Sequence, residues 1–183
     1  MARVPYLDRE DLAEEDRPLL DRNINLFRAL AHNPKAARAF GGLGGYIRHK
    51  SGLDGRLREL AILQVGYLAR SEYEYSHHVK IGFEFGLSED DVRAIATETE
   101  GGTSGLEPLA RLVLRTAREM TLDGAASGAT YAELEEHFDR ATIIDLFMAI
   151  AFYNGVVRLL GSLEIDVEDS YREYLERFPL PGN

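Results

Sequence analysis

The chain has 183 residues, enough to bury a core in one domain without disulfide or metal staples, and 45% of them are hydrophobic against 28% charged. It has no cysteine, so no thiol, disulfide or iron–sulfur cluster is available to it. Lys and Arg number 21 against 31 Asp and Glu, a formal charge of -10, and so acidic a surface repels phosphate backbones and anionic lipid heads. Neither nucleic acid nor a membrane is expected as a partner.

The first twenty residues carry Asp8, Glu10, Asp11, Glu14, Glu15 and Asp16 rather than a basic and then apolar leader, which points to a cytoplasmic protein. From Asp8 to Arg22 the pattern is polar with Leu12, Leu19 and Leu20 as anchors, and reads as a short wrapping arm. Asn33 followed by Pro34 predicts an N-cap and first helical position, opening a helix towards Tyr46 and Ile47. Inside it lies Gly41-Gly42-Leu43-Gly44-Gly45. Glycine costs a helix interior about 1 kcal/mol relative to alanine, so either the helix breaks there or something approaches its backbone closely. No Gly-Lys-Ser/Thr follows, so the run is not a phosphate loop.

Arg56 to Ala69 predicts a helix buried around most of its circumference, with Glu59 near its N-terminal edge and Gln64 the one strongly polar residue beyond Leu60. Ser71 and Glu74 have the spacing of a capping box and open a second helix that ends near Gly86. Residues 56–86 are thus a helical hairpin. Ser88 with Asp91 starts a short helix, 101–105 is a glycine-rich loop, and 107–122 has apolar residues at helical spacing. Thr130 with Glu133 predicts a further helix start, followed by a long apolar helix from Asp139 to about Gly161 and a polar tail helix around Tyr171 to Phe178. Its greasiest stretch, Ala141 to Tyr153, contains Asp145 and is shorter than the roughly 20 residues of a membrane span. The expected fold is all-α, a single-domain bundle with a core over about 24–163, an N-terminal arm over 1–23 and a C-terminal tail helix over 164–183.

Glu74 and His78 lie four apart on one helix and share a face, and the antiparallel partner helix brings Glu59 towards them. Two carboxyls beside an imidazole are the ingredients of general acid–base catalysis. The same residues also suit purely structural roles: a first-turn acid, a capping partner and an amphipathic filler. A metal site drawing on Glu74, His77 and His78 is disfavoured, because His77 and His78 point about 100° apart on a helix. No metal is expected. Arg158, four residues after Asn154, could grip a substrate carboxylate or be paired structurally with Asp145, a glutamate or a neighbouring subunit.

Glu59, eleven residues, Ser71, two residues, Glu74, three residues and His78 resemble the Glu-x11-Cys-x2-Cys-x3-His motif of the AhpD-like proteins, with Ser71 and Glu74 where the cysteines would be. Arg58 to Leu63, Glu72 to His78, Gly86 to Asp90 and Ala151 to Asn154 are similar to the cysteine-free carboxymuconolactone decarboxylase branch. The resemblance implies an AhpD-like helical bundle that assembles as a trimer or hexamer, with the hairpin near a subunit interface. It implies a lyase without cofactors that protonates carbon in a small lactone or carbonyl carboxylate, not a thiol peroxidase. In that reading His78 or Glu74 supplies the proton, Glu59 orients the imidazole, and Tyr73 or His77 contacts substrate oxygens. The alternative is a non-catalytic small-molecule binder or structural oligomer of the same fold.

Overall fold

The computed structural model describes residues 2–182. Among them are nine α-helices and no strand: α1 (Asn25–Leu30), α2 (Pro34–His49), α3 (Gly55–Leu68), α4 (Glu72–Glu84), α5 (Glu89–Thr99), α6 (Pro108–Leu122), α7 (Gly128–His137), α8 (Arg140–Leu163) and α9 (Asp169–Arg177). Two short 3-10 segments, Arg9–Asp11 and Glu14–Leu20, precede them. The all-α bundle expected from the sequence is therefore the fold.

The bundle is organised around α3, which packs against α4, α5, α6 and α8. Every residue from Leu57 to Tyr67 is buried, which explains why this helix lacks a polar stripe. The Asp54 side chain caps it by accepting from Leu57 N at 3.0 Å. It ends in a Schellman turn, with Ser71 N bonded to Gly66 O and Arg70 N to Tyr67 O. Arg70 occupies the left-handed position of that turn at φ 51°, a place glycine usually takes. A Cβ on Gly66 would lie 3.4 Å from the Tyr75 backbone nitrogen, so the two rods of the hairpin cross closely there.

Helix α2 runs unbroken through its glycines, with aromatic rings at ordinary contact distance from Gly41 and Gly44 and nothing within 4 Å of a Cβ on Gly42 or Gly45. A Cβ on Gly41 would sit 3.4 Å from the Phe27 ring, and one on Gly44 would sit 3.7 Å from Phe152. Two other expectations need correcting. Ser71 accepts from Glu74 N at a long 3.5 Å, but no capping box closes, because the Glu74 carboxylate turns towards His78 instead. The cap of α7 is Ser127, not Thr130: Ser127 Oγ accepts from Thr130 N, Thr130 Oγ1 donates to Glu119, and Glu133 pairs with Arg115.

Helix α8 is also longer than its greasiest stretch suggests. Over its full 24 residues it is long and apolar enough, by length and composition alone, to cross a membrane, and half of its apolar window is buried inside the bundle. Asp145, which interrupts it, is buried and accepts from the Tyr46 hydroxyl and from Gly52 N, each at 2.7 Å. Arg158 is exposed and bonds back to Asn154 on its own helix, so it is not the partner of Asp145. The N-terminal arm closes on the opposite end of the chain: Arg3 N donates to Leu163 O, and the Tyr6 hydroxyl donates to Asp166.

Leu63 is fully buried on α3 and belongs to the main core cluster. Leu63→Ala should lower the unfolding free energy by about 2–5 kcal/mol, measured by denaturant titration.

Candidate active site

The three sequence-nominated ionisable residues meet on the α3–α4 hairpin and are almost fully buried. Glu59 projects from the second turn of α3, and Glu74 and His78 project from one face of α4. His78 Nδ1 stands 2.6 Å from Glu59 Oε2, and His78 Nε2 stands 2.9 Å from Glu74 Oε1. The first contact is an aligned hydrogen bond. The second is close but out of line, and leaves the buried Glu74 Oε1 with no hydrogen-bond partner. The two carboxylates lie at different nitrogens of one ring, so the three groups do not converge on a common point where an ion could sit.

Burial by itself would lower the pKa of His78, because it penalises the charged imidazolium. Glu59 first, and then Glu74, outweigh that effect and hold the pKa above its ordinary 6.5. Glu59 is the mirror case. Burial would raise its pKa, but His78 and then Arg58 prevail and hold it below 4.5. Both shifts favour the imidazolium–carboxylate form of the pair.

Arg58 is a member of this network that motif spacing did not single out. It is buried, donates from Nε to Glu59 Oε1 at 2.9 Å, and donates from a terminal nitrogen to Arg48 O at the end of α2. Its guanidinium lies 4.2 Å from the centre of the Phe85 ring. The residue was visible in the sequence as an arginine next to Glu59 at the start of an apolar helix. Its depth was not. Tyr153 of α8 is a second such residue: its ring meets His78 edge-on at 4.8 Å, and burial pushes its phenol pKa well above the ordinary value.

Tyr73 and His77 lie beside the acid–base set, with the Tyr73 hydroxyl and His77 Nδ1 hydrogen-bonded elsewhere and His77 Nε2 close to Glu168 but without a hydrogen bond. The Tyr73 hydroxyl accepts from Leu26 N and donates to Glu168, both at 3.1 Å. His77 Nδ1 is 2.8 Å from Tyr73 O, and its Nε2 is 3.1 Å from Glu168 Oε2. The His77 ring is sandwiched between Tyr73 and Tyr171 with centroids 4.1 and 3.6 Å away. Glu168 also accepts from Asn25 N in the first turn of α1 at 2.6 Å, so it ties the tail to both α1 and α4. What Tyr73 and His77 present to a neighbouring molecule is aromatic surface.

Glu74, His77, His78, Tyr73 and Tyr153 border one cavity of about 190 Å³. Phe27, Phe40 and Phe152 supply further aromatic wall, Gly41, Gly44 and Gly45 let the α2 backbone form one side, and Arg22, Arg48 and His49 complete the polar lining.

Residues 34–102, which span the whole hairpin, match the sequence profile of the carboxymuconolactone decarboxylase family. That stretch is similar to the family over 69 of the 183 residues. Among curated proteins, none matches its sequence. Solved structures of AhpD-like proteins share the fold. An uncharacterized peroxidase-related protein from Ralstonia eutropha JMP134, described as an alkylhydroperoxidase AhpD core, is 21% identical with a TM-score of 0.80, over 95% of each chain. A peroxidase-related protein from Silicibacter sp. TM1040 is 17% identical with a TM-score of 0.75, over 92% of this chain and 89% of that one. The debrominase Bmp8, solved in complex with 2,3,4-tribromopyrrole, is 19% identical with a TM-score of 0.81, over 97% of this chain and all of the other. Without a cysteine, this chain cannot run a thiol peroxidase cycle.

The shifted pKa values set the pH dependence of stability. The raised pKa of His78 contributes stability that is complete below 6.5 and is lost as pH climbs through the higher folded value. The lowered pKa of Glu59 contributes stability that is complete above 4.5 and is lost as pH falls through the lower folded value. The stability deficit of His78→Gln relative to wild type should therefore shrink as pH rises above 6.5, read from unfolding titrations at several pH values. Glu59→Gln leaves Arg58 and the imidazolium buried without their counter-ion, and should cost about 3–5 kcal/mol near neutrality.

Proposed function

We propose that this protein is a lyase without cofactors, resembling 4-carboxymuconolactone decarboxylase, that transfers a proton to carbon in a small lactone or carbonyl carboxylate. The observation that supports it is the Glu59–His78–Glu74 chain on the wall of a ligand-sized cavity, with the imidazole held in its acidic form. In the reaction the bond between carbon and the departing carboxylate breaks heterolytically and CO2 leaves. The electron pair delocalises into the carbonyl as an enolate. His78 delivers its proton from Nε2 to carbon and is left neutral, and solvent restores the proton.

Glu59 keeps Nδ1–H oriented and stabilises the imidazolium, so Nε2–H is the donor that faces outward. Arg58 acts through Glu59 as a positioning residue. Glu74, with one oxygen lacking a hydrogen bond, can accept a proton or hold Nε2–H in place until substrate replaces it. The aromatic walls accept a flat ring, and the like-folded debrominase, bound to a five-membered heterocycle, supports a ligand of that size. A homo-oligomer is part of the same proposal, supported by Ile144 and Met148 standing exposed on one face of α8.

One observation favours the non-catalytic alternative: both ring nitrogens of His78 already face carboxylates, as they would in a purely structural network. Turnover separates the two. His78→Gln should lower kcat on a lactone carboxylate or β-keto acid by about 10²–10⁴-fold while circular dichroism stays native. The wild-type kcat/KM should fall at high pH with an apparent pKa above 6.5, because the acid form is the active one. Absence of CO2 release from every such substrate leaves the binder reading in place.

A further inference from the structure

Arg22 and Arg48 line the cavity, yet among the described residues neither forms an ion pair with a carboxylate. They come from separate parts of the chain: Arg22 is exposed at the end of the N-terminal arm, and Arg48 is half-buried in the last turn of α2. Arg22 lies outside the segment that matches the family profile. The two guanidiniums are neighbours. After burial, the charge of Arg48 is the largest influence that depresses the pKa of Arg22. In a chain with ten more acids than bases, two arginines without a carboxylate ion pair among the described residues line a cavity whose one acid is Glu74.

Such a pair costs Coulomb energy while the cavity holds only water, and an anion placed between the forks removes that cost. The planar guanidinium fork matches a carboxylate in two parallel hydrogen bonds. Arg48 also approaches the hydroxyl of Tyr153, whose ring edge abuts His78, so cation and acid stand on two sides of one phenol. A cavity of about 190 Å³ corresponds to about six waters at about 30 Å³ each, room for one substituted ring. Glu74 repels a carboxylate and favours an O–H or acidic C–H beside it, which orients such a ring with its anion towards the arginines.

We propose that Arg22 and Arg48 form an anion subsite that holds a carboxylate handle of a small, flat cyclic ligand while its opposite edge faces His78 and Glu74. An ion pair stabilises the charge that decarboxylation would consume, so the group held here is a handle and not the one that leaves. The inference uses the same cavity as the proposed lyase and deepens that reading, but its test needs no turnover.

Benzoate serves as the probe and benzyl alcohol as its neutral counterpart, with binding measured by calorimetry or ligand-observed NMR on the whole protein. Benzoate should bind the wild type at one site and compete with a second ring carboxylate, while benzyl alcohol binds at least tenfold more weakly. Arg48→Gln and Arg22→Gln should each weaken benzoate roughly tenfold or more and leave benzyl alcohol within twofold. Benzoate binding involves no turnover, so loss of catalysis and loss of the subsite are read separately. Equal affinity for the two probes, no benzoate binding at millimolar concentration, or unchanged benzoate affinity in both folded arginine variants overturns the subsite, whatever becomes of the lyase assay.

Discussion

The contact on which the rest depends is the buried ion pair between Glu59 and His78, with Arg58 behind it. A carboxylate taken out of water with a single partner is costly, and here the cost is spread over an imidazolium, a guanidinium and their further contacts. Arg58 reaches Glu59, the free carbonyl end of α2 and the face of Phe85 together, so it joins three elements around one charge. The network can exist only where α3 and α4 lie side by side, and the close passage of Gly66 over Tyr75 is what allows that approach.

The same geometry gives the site its chemical sense. Glu59 sits behind the imidazole and sets its charge, while Nε2 is directed towards Glu74 and the cavity. A histidine so held has its protonated form favoured, which is the form the proposed proton transfer to carbon uses. Ser71 is spent as the cap of α4, and Glu74 puts a charge beside His78. The tail contributes by fixing the other wall: Glu168 and Tyr171 immobilise Tyr73 and His77 as stacked rings.

Much of this was legible in the linear pattern. The four-residue interval between Glu74 and His78 places them on one face of α4, and the turn around Ser71 folds Glu59 back towards them, because helix period and hairpin geometry are local properties. The course of α2 through its glycines was not decided locally. Propensity argues for a break at Gly41 to Gly45, and the packing of Phe27 and Phe152 against that backbone overrides it. The cap of α7 was misassigned for a related reason. Ser127 and Thr130 both suit a cap, and the contact of Thr130 with Glu119, distant in sequence, selects between them.

By itself, then, the sequence determined the all-α class, the hairpin, the absence of thiol chemistry and the shared helix face of Glu74 and His78 opposite Glu59. Each of these rests on composition or on short-range periodicity. Only the tertiary structure decided that Arg58 lies buried behind the acid, that Tyr153 flanks the imidazole, that Glu168 bonds the Tyr73 hydroxyl and approaches His77, and that Arg22 and Arg48 line one cavity. Those residues are brought together from the arm, α2, α8 and the tail by burial of a common core, and no spacing along the chain encodes distances between elements that far apart.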